Sequence, residues 1–172
     1  MPIVPDTKNW TWVLERPCAE CGFDPEGASF RDVPARIRAN AAAWPAVLSR
    51  PDARERPDDA TWSPLEYGAH VRDVFRIYDG RFRLMLAEDG PSFPDWDQDA
   101  TAIDDDYASQ DPHAVADELV AASEVVARTI EEVPDEALGR TGLRSDGSHF
   151  TVETLALYFV HDPEHHLHDV VG

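Results

Sequence analysis

Positively charged residues are scarce in this sequence and unevenly placed. Its 172 residues include 15 basic and 34 acidic side chains, which gives a formal net charge of −19, and Lys8 is the only lysine. No Lys or Arg occurs between Arg83 and Arg128, a stretch with twelve acidic residues. Nucleic acids and anionic membrane surfaces are bound mainly through cationic side chains, so this composition argues against both as partners.

Long apolar runs are also missing. No stretch approaches the roughly 20 apolar residues of a membrane-spanning helix. Residues 1–6 have neither the basic flank nor the apolar run of a signal peptide, so we expect a cytoplasmic protein. The length predicts one domain that buries roughly 70% of its unfolded surface.

Cysteine is limited to Cys18 and Cys21, which form a single CxxC motif followed by Gly22. One such motif is compatible with a loop in a structural arm, with half of a metal site, or with a redox pair. No second CxxC follows, and the sequence leaves these alternatives open. Residues 1–28 show no hydrophobic periodicity and are interpreted as an N-terminal arm on a domain formed by residues 29–172.

Apolar residues at spacings of three and four predict four helices. The first spans 32–50, and the second begins at the capping box of Ser63 with Pro64 in the first helical position. The third ends near residue 133, and the fourth spans 151–171. This pattern predicts an all-α protein, a four-helix bundle with at least one crossover connection.

Two connections between the predicted helices are long. The acidic segment 88–111 exceeds 20 residues, a length typical of functional or mobile loops. The connection at 134–150 contains three glycines and has room for a short pair of strands within 139–150.

Four of the seven histidines lie near the C-terminus, at positions 161, 165, 166 and 168. Residues four apart share one face of a helix, so His161 and His165 point the same way, and His168 joins them one turn later. Two such imidazoles can bind one metal ion, as in the HExxH motif, although that motif is absent here. His166 points elsewhere.

His70 lies on the apolar stripe of the second predicted helix. If this stripe meets the face of His161 and His165, three imidazoles converge. Such a set suits zinc, nickel, iron or copper and leaves coordination positions open for water or substrate, as in catalytic zinc sites.

The segment WSPLEYGAHVRD at 62–73 and the segment HDPEHH at 161–166 together resemble the DinB-like superfamily, and within it the YfiT and mycothiol-dependent maleylpyruvate isomerase branch. The resemblance covers roughly residues 30–171. It implies a DinB-like four-helix bundle with long crossover connections. It further implies one divalent ion, with zinc or nickel expected, held by His70, His161 and His165.

The resemblance also implies thiol-dependent transferase or isomerase activity that uses mycothiol, bacillithiol or glutathione, so a small thiol or another small substrate is the expected partner. His168 stands where similar sequences often have an aromatic residue, which leaves a fourth ligand open. Two further hypotheses are a non-catalytic metal-dependent binding or stress-response protein and a metal-dependent hydrolase. The sequence leaves a homodimer open.

Four residues near the predicted ligands are candidates for the surrounding shell or the pocket. Asp73, one turn after His70, could accept an imidazole N–H and fix the ring, as metal-bound histidines usually require. Glu66 shares the face of His70 but also fits the capping box. Tyr158 lies on the face of His161, and His168 could act as a second-shell residue.

Overall fold

The computed structural model describes Ile3 and residues 9–172 of the chain. Four long helices form a bundle, and a fifth, α3, is short. They are α1 (Val33–Leu48), α2 (Pro64–Ala87), α3 (Gln98–Asp104), α4 (Pro112–Glu131) and α5 (Val152–Val171). The four predicted helices and the four-helix bundle are confirmed.

Local capping explains where the long helices begin. Ser63 and Glu66 form the expected capping box, in which the Ser63 N–H donates to Glu66 Oε2 (2.9 Å) and the Glu66 N–H donates to Ser63 Oγ (3.3 Å). Asp111 accepts from the Ala114 N–H at the start of α4. Thr151 and Thr154 exchange hydrogen bonds at the start of α5. These side chains satisfy N–H groups that have no partner inside the helix.

The bundle places α4 and α5 each against both α1 and α2. Large side chains of these helices fill the core without solvent exposure, among them Trp44, Phe75, Phe82, Leu119 and Phe159. Burying an aromatic side chain of this kind stabilises the fold by about 1.5–3 kcal/mol. Because α5 contacts both α1 and α2, its polar C-terminal half lies beside both.

A small sheet joins the two long connections at one edge of the bundle. β1 (Ser92–Phe93) pairs in parallel with β2 (Thr141–Arg144), and β2 pairs antiparallel with β3 (His149–Thr151). The hairpin lies where the sequence left room for a strand pair. The acidic segment also contains β1 and α3, which the sequence did not predict. This segment therefore has regular secondary structure and is not a plain loop.

The described part of the arm, residues 9–28, contains one 3-10 helix (Trp10–Leu14) and otherwise follows an irregular path. Cys18 and Phe23 are buried in the core cluster, and the arm lies against α5. Among the described residues, no helix is long and apolar enough to cross a membrane.

Candidate metal centre and pocket

Side chains of ligand type form two groups around the C-terminal half of α5. The Cys–His group consists of Cys18, Cys21, His161 and His165, and the His–Asp group consists of His70, Asp162 and His166. Within each group, one ligand atom of every residue lies within 4.8 Å of those of the others.

In the His–Asp group, Asp162 lies between two imidazoles. Its Oδ1 is 3.2 Å from Nε2 of His70 and 3.7 Å from Nε2 of His166. In a tetrahedral site with ligand bonds of about 2.1 Å, neighbouring ligand atoms are about 3.4 Å apart. Both distances from Asp162 are close to this spacing, and all three donor atoms lie within 4.8 Å of one another.

The ring of His70 is held between aromatic side chains. Trp96, from the acidic segment, stacks on it at 5.2 Å between centroids, and Trp62 lies at 5.3 Å. Burial lowers the pKa of His70, so the imidazole is neutral at pH 7, which is the form that binds a metal. Nδ1 of His70 has no hydrogen-bond partner among the described residues.

Asp162 is an anion in this setting. Burial alone would raise its pKa, but the neighbouring His70 and His166 lower the pKa of Asp162 to about 2. His166 is oriented in turn, because its Nδ1 lies 3.1 Å from Asp169 Oδ2. Two imidazoles and one carboxylate form a donor set found at zinc and at non-haem iron.

In the Cys–His group, Cys18 Sγ lies 3.6 Å from Nδ1 of His165, whose Nε2 lies 3.2 Å from Glu20 Oε2. Burial, followed by the nearby His165, lowers the pKa of His161 to about 4. Nε2 of His161 is buried without a hydrogen-bond partner among the described residues. A buried nitrogen left unpaired costs about 1–3 kcal/mol, a cost that metal binding would remove.

A cavity of about 790 Å³ adjoins both groups and is lined by Asp162, His166, His161 and His165. Among the described residues, its other lining side chains include two arginines and six further carboxylates, and three tyrosines, namely Tyr67, Tyr78 and Tyr158. The volume is within the range of small-molecule sites.

Of the two arginines, Arg144 forms an ion pair with a carboxylate in the described part of the chain and Arg81 does not. Arg144 pairs with Asp146 at 2.8 Å and donates to the hydroxyl of Tyr158 at 3.1 Å. Arg81 is 7% exposed and donates to the Pro94 carbonyl (3.0 Å), and no carboxylate of the described residues lies within 4.0 Å of it. The Arg81 guanidinium therefore adds a positive charge, without an ion-pair partner among the residues described, to a cavity wall that also carries acidic side chains, among them Asp95, Asp97 and Asp162.

The family model of the DinB superfamily matches residues 34–170. The chain belongs to the DinB superfamily. Its fold is similar to that of YfiT from Bacillus subtilis, described as "a probable metal-dependent hydrolase with an unusual four-helix bundle topology". The TM-score is 0.64 over 96% of this chain and 88% of that chain, at 20% identity, so the likeness shows the fold alone. None of the curated proteins matches the chain.

The three histidines expected from the DinB resemblance do not share one group. The structure places His161 and His165 with the two cysteines, and it places His70 with Asp162 and His166. The physical reason is the rotation of α5, since residues 161 and 162 point about 100° apart on a helix. Metal binding by the three histidines stays a prediction, and so does membership of the mycothiol-dependent branch.

The residues expected around the ligands have varied surroundings. Asp73 accepts from Arg72 at 2.9 Å and from the Tyr107 hydroxyl at 2.6 Å, and no hydrogen bond joins it to His70. Glu66 caps α2 and pairs with Arg56. His168 is exposed and belongs to neither group, whereas Tyr158 lines the cavity.

The site predicted from the sequence does not include Asp162 or His166, and the prediction does not connect Cys18 and Cys21 with the histidines. One signal was available for the first pair: Asp162 and His166 are four apart, like His161 and His165. The donor sets of both groups fit a divalent metal. In the Cys–His group, Nε2 of His161 is also buried without a hydrogen-bond partner among the described residues.

Proposed function

We propose that this protein is a metal-dependent hydrolase of a small substrate that carries an anionic group. In this proposal the His–Asp group holds the metal and the 790 Å³ cavity holds the substrate. The similar fold of YfiT, described as a probable metal-dependent hydrolase, supports the same reaction class. The observation that carries the proposal is that Asp162 and His166 share one cavity with Arg81, whose guanidinium has no ion-pair partner among the described residues.

Three protein ligands leave coordination positions open, as in catalytic sites. A bound divalent ion would supply hydroxide at neutral pH by lowering the pKa of water from 15.7 to about 7. The side chains of the His–Asp group are oriented by their neighbours. Trp96 and Trp62 hold the ring of His70, and Asp169 orients His166. Asp162 is ionised.

Arg81 would bind the anionic group of the substrate. Its guanidinium is held in place by the Pro94 carbonyl and by the rings of Tyr78 and Phe93, at 4.8 and 4.9 Å. A hydrogen bond to a charged group contributes about 1.5–3 kcal/mol, so its loss would raise KM by about 10- to 150-fold.

The test uses chromogenic nitrophenyl esters, anilides and phosphates, each in a neutral and an anionic form, with protein loaded with zinc, nickel, manganese or iron(II). We expect hydrolysis that a chelator abolishes and the metal restores. Asp162→Asn should abolish it, while Arg81→Met should raise KM for the anionic probe and leave the neutral probe unaffected.

The matched control is His168→Ala, an exposed histidine of the same helix that belongs to neither group. It should retain full activity. Circular dichroism of each variant separates loss of chemistry from loss of the fold. No metal-dependent hydrolysis of any probe, or full activity in a folded Asp162→Asn protein, would contradict the proposal.

Thiol transfer is the second candidate, because an open coordination position that admits water also admits a thiolate. Cobalt(II) bound by the His–Asp group should then gain a near-ultraviolet charge-transfer band when a small thiol is added. The gain should be absent in Asp162→Asn. A cobalt spectrum that is unchanged by mycothiol, bacillithiol and glutathione would remove this candidate.

A further inference from the structure

We propose that Cys18, Cys21, His161 and His165 bind a second metal ion, a structural zinc that fastens the N-terminal arm to α5. This site is separate from the one assigned to hydrolysis, and it does not depend on that assignment. One donor atom from each of the four residues lies within 4.8 Å of the others. Two cysteines spaced CxxC and two histidines spaced HxxxH form a donor set typical of structural zinc.

The loop of the arm directs both cysteines to one side. Gly22 has φ +78°, a left-handed conformation that glycine adopts without a steric penalty. This turn lets the Gly22 N–H donate to the Cys18 carbonyl (2.9 Å) and the Cys18 N–H donate to the Phe23 carbonyl (2.8 Å). These two hydrogen bonds form a tight turn that contains both cysteines.

The orientation of His165 fits a zinc ligand. Its Nε2 faces Glu20 at 3.2 Å, which leaves Nδ1 to face Cys18 Sγ at 3.6 Å. Metal-bound histidines commonly pair the second ring nitrogen with a carboxylate in this way. With Zn–S of 2.3 Å and Zn–N of about 2.05 Å, tetrahedral geometry places S and N about 3.6 Å apart.

His161 supplies an independent observation. It is 4% exposed, and its Nε2 has no hydrogen-bond partner among the described residues. The ring is fixed between Trp10 and Phe23 of the arm, at centroid distances of 5.6 and 5.4 Å. A neutral imidazole held rigidly with an unpaired nitrogen beside two thiols is preorganised for a soft divalent ion.

The site would also shape the cavity. Trp10 and Glu20 of the arm line the cavity together with His161 and His165. Four protein ligands complete a tetrahedral ion and leave no position for substrate. The zinc would therefore hold one wall of the cavity in place without taking part in the chemistry.

The experiment uses the full chain purified without chelator, with metal measured by elemental analysis and free thiols counted by a colorimetric thiol reagent. We expect the unaltered protein to hold one zinc per chain more than Cys18→Ser/Cys21→Ser, and Asp162→Asn to retain this zinc. Zinc X-ray absorption of the Asp162→Asn protein should show two sulfur ligands near 2.3 Å and two nitrogen ligands near 2.0 Å. His168→Ala serves as the matched control and should keep the ion.

A readout on the unaltered protein guards against variants that do not fold. Cobalt(II) in place of zinc should give an intense thiolate charge-transfer band and visible bands of a tetrahedral ion before any thiol is added. A protein without sulfur-ligated metal, with Cys18 and Cys21 oxidised to each other, would overturn the proposal in favour of a redox pair. Zinc content unchanged by the double cysteine substitution would overturn it as well. Neither result bears on hydrolysis, which is tested through Asp162.

Discussion

Asn40 joins α1 to the turn of α5 that carries both groups of ligands, and its removal should be costly. Its side-chain N–H donates to the Pro163 carbonyl at 2.7 Å, and its Oδ1 accepts from the indole N–H of Trp44 at 3.1 Å. Asn40 is 5% exposed and Trp44 is fully buried. In Asn40→Ala, the indole N–H would therefore have no partner.

The magnitude follows from these two bonds. An unpaired buried N–H costs about 1–3 kcal/mol, and the lost bond to Pro163 adds about 0.5–1.5 kcal/mol. Alanine is the better helix former and returns up to about 0.7 kcal/mol. We expect Asn40→Ala to lower the free energy of unfolding by about 1–4 kcal/mol.

Urea unfolding at neutral pH measures this loss, and a double-mutant cycle tests its cause. Trp44→Phe removes the indole donor, so Asn40→Ala should cost less in the Trp44→Phe background than in the wild type. A loss below about 0.5 kcal/mol, or equal losses in both backgrounds, would refute the reasoning that a buried, unpaired N–H dominates the effect.

Three other substitutions, one of them with a matched control, have defined expectations. Glu66→Gln should destabilise the protein at pH 7, because Arg56 and the Ser63 N–H outweigh burial and lower the pKa of Glu66. In unfolding curves, the stability difference between wild type and variant should shrink below about pH 4.3, where the carboxylate of the unfolded chain becomes protonated. Gly142→Ala should cost about 1–3 kcal/mol in urea, since its Cβ would lie 2.8 Å from Phe93, whereas Gly139→Ala, with no atom within 4 Å, should not destabilise. Phe159→Ala should cost about 3–5 kcal/mol in the same assay, since this buried ring stacks on Tyr78 at 4.7 Å.

The sequence predicts the helices because their signals are local. The Ser63 capping box and the residues at 111 and 151 determine where helices begin, and these side chains form the expected bonds. The short α3 was missed because none of its seven residues, QDATAID, is buried, so it has no apolar stripe. Its cap, Asp97, accepts from the Ala100 N–H and was the available signal.

The rotation of α5 could not be predicted in the same way. Its first half is apolar on nearly every side, so the pattern does not specify which stripe faces α2. In the structure the side facing His70 is that of Asp162 and His166. Arg36 of α1 binds Glu164 through two bonds of 2.7 Å, a long-range pair that helps to fix the rotation and that no local pattern indicates.

The link between the arm and the histidines is equally non-local. Cys18 and His165 are 147 positions apart, and a lone CxxC motif does not indicate which residues complete its site. From the sequence alone, a structural arm, a metal site and a redox pair all stay open for the two cysteines. Only the folded bundle brings the buried Cys18 beside His165 of α5.

The pair His161 and His165 and the pair Asp162 and His166 lie on the same two turns of α5. Substitutions can therefore be chosen that affect one pair or both pairs. His161 and His165 face the arm, while Asp162 and His166 share the side of His70. A cysteine substitution should therefore disturb only the metal binding proposed for the Cys–His group. Loss of Asn40, which holds the Pro163 carbonyl between both pairs, should weaken metal binding at both groups together. If Asn40→Ala weakened only one of them, the two groups would not share a rigid helix turn, and α5 would have to bend between them.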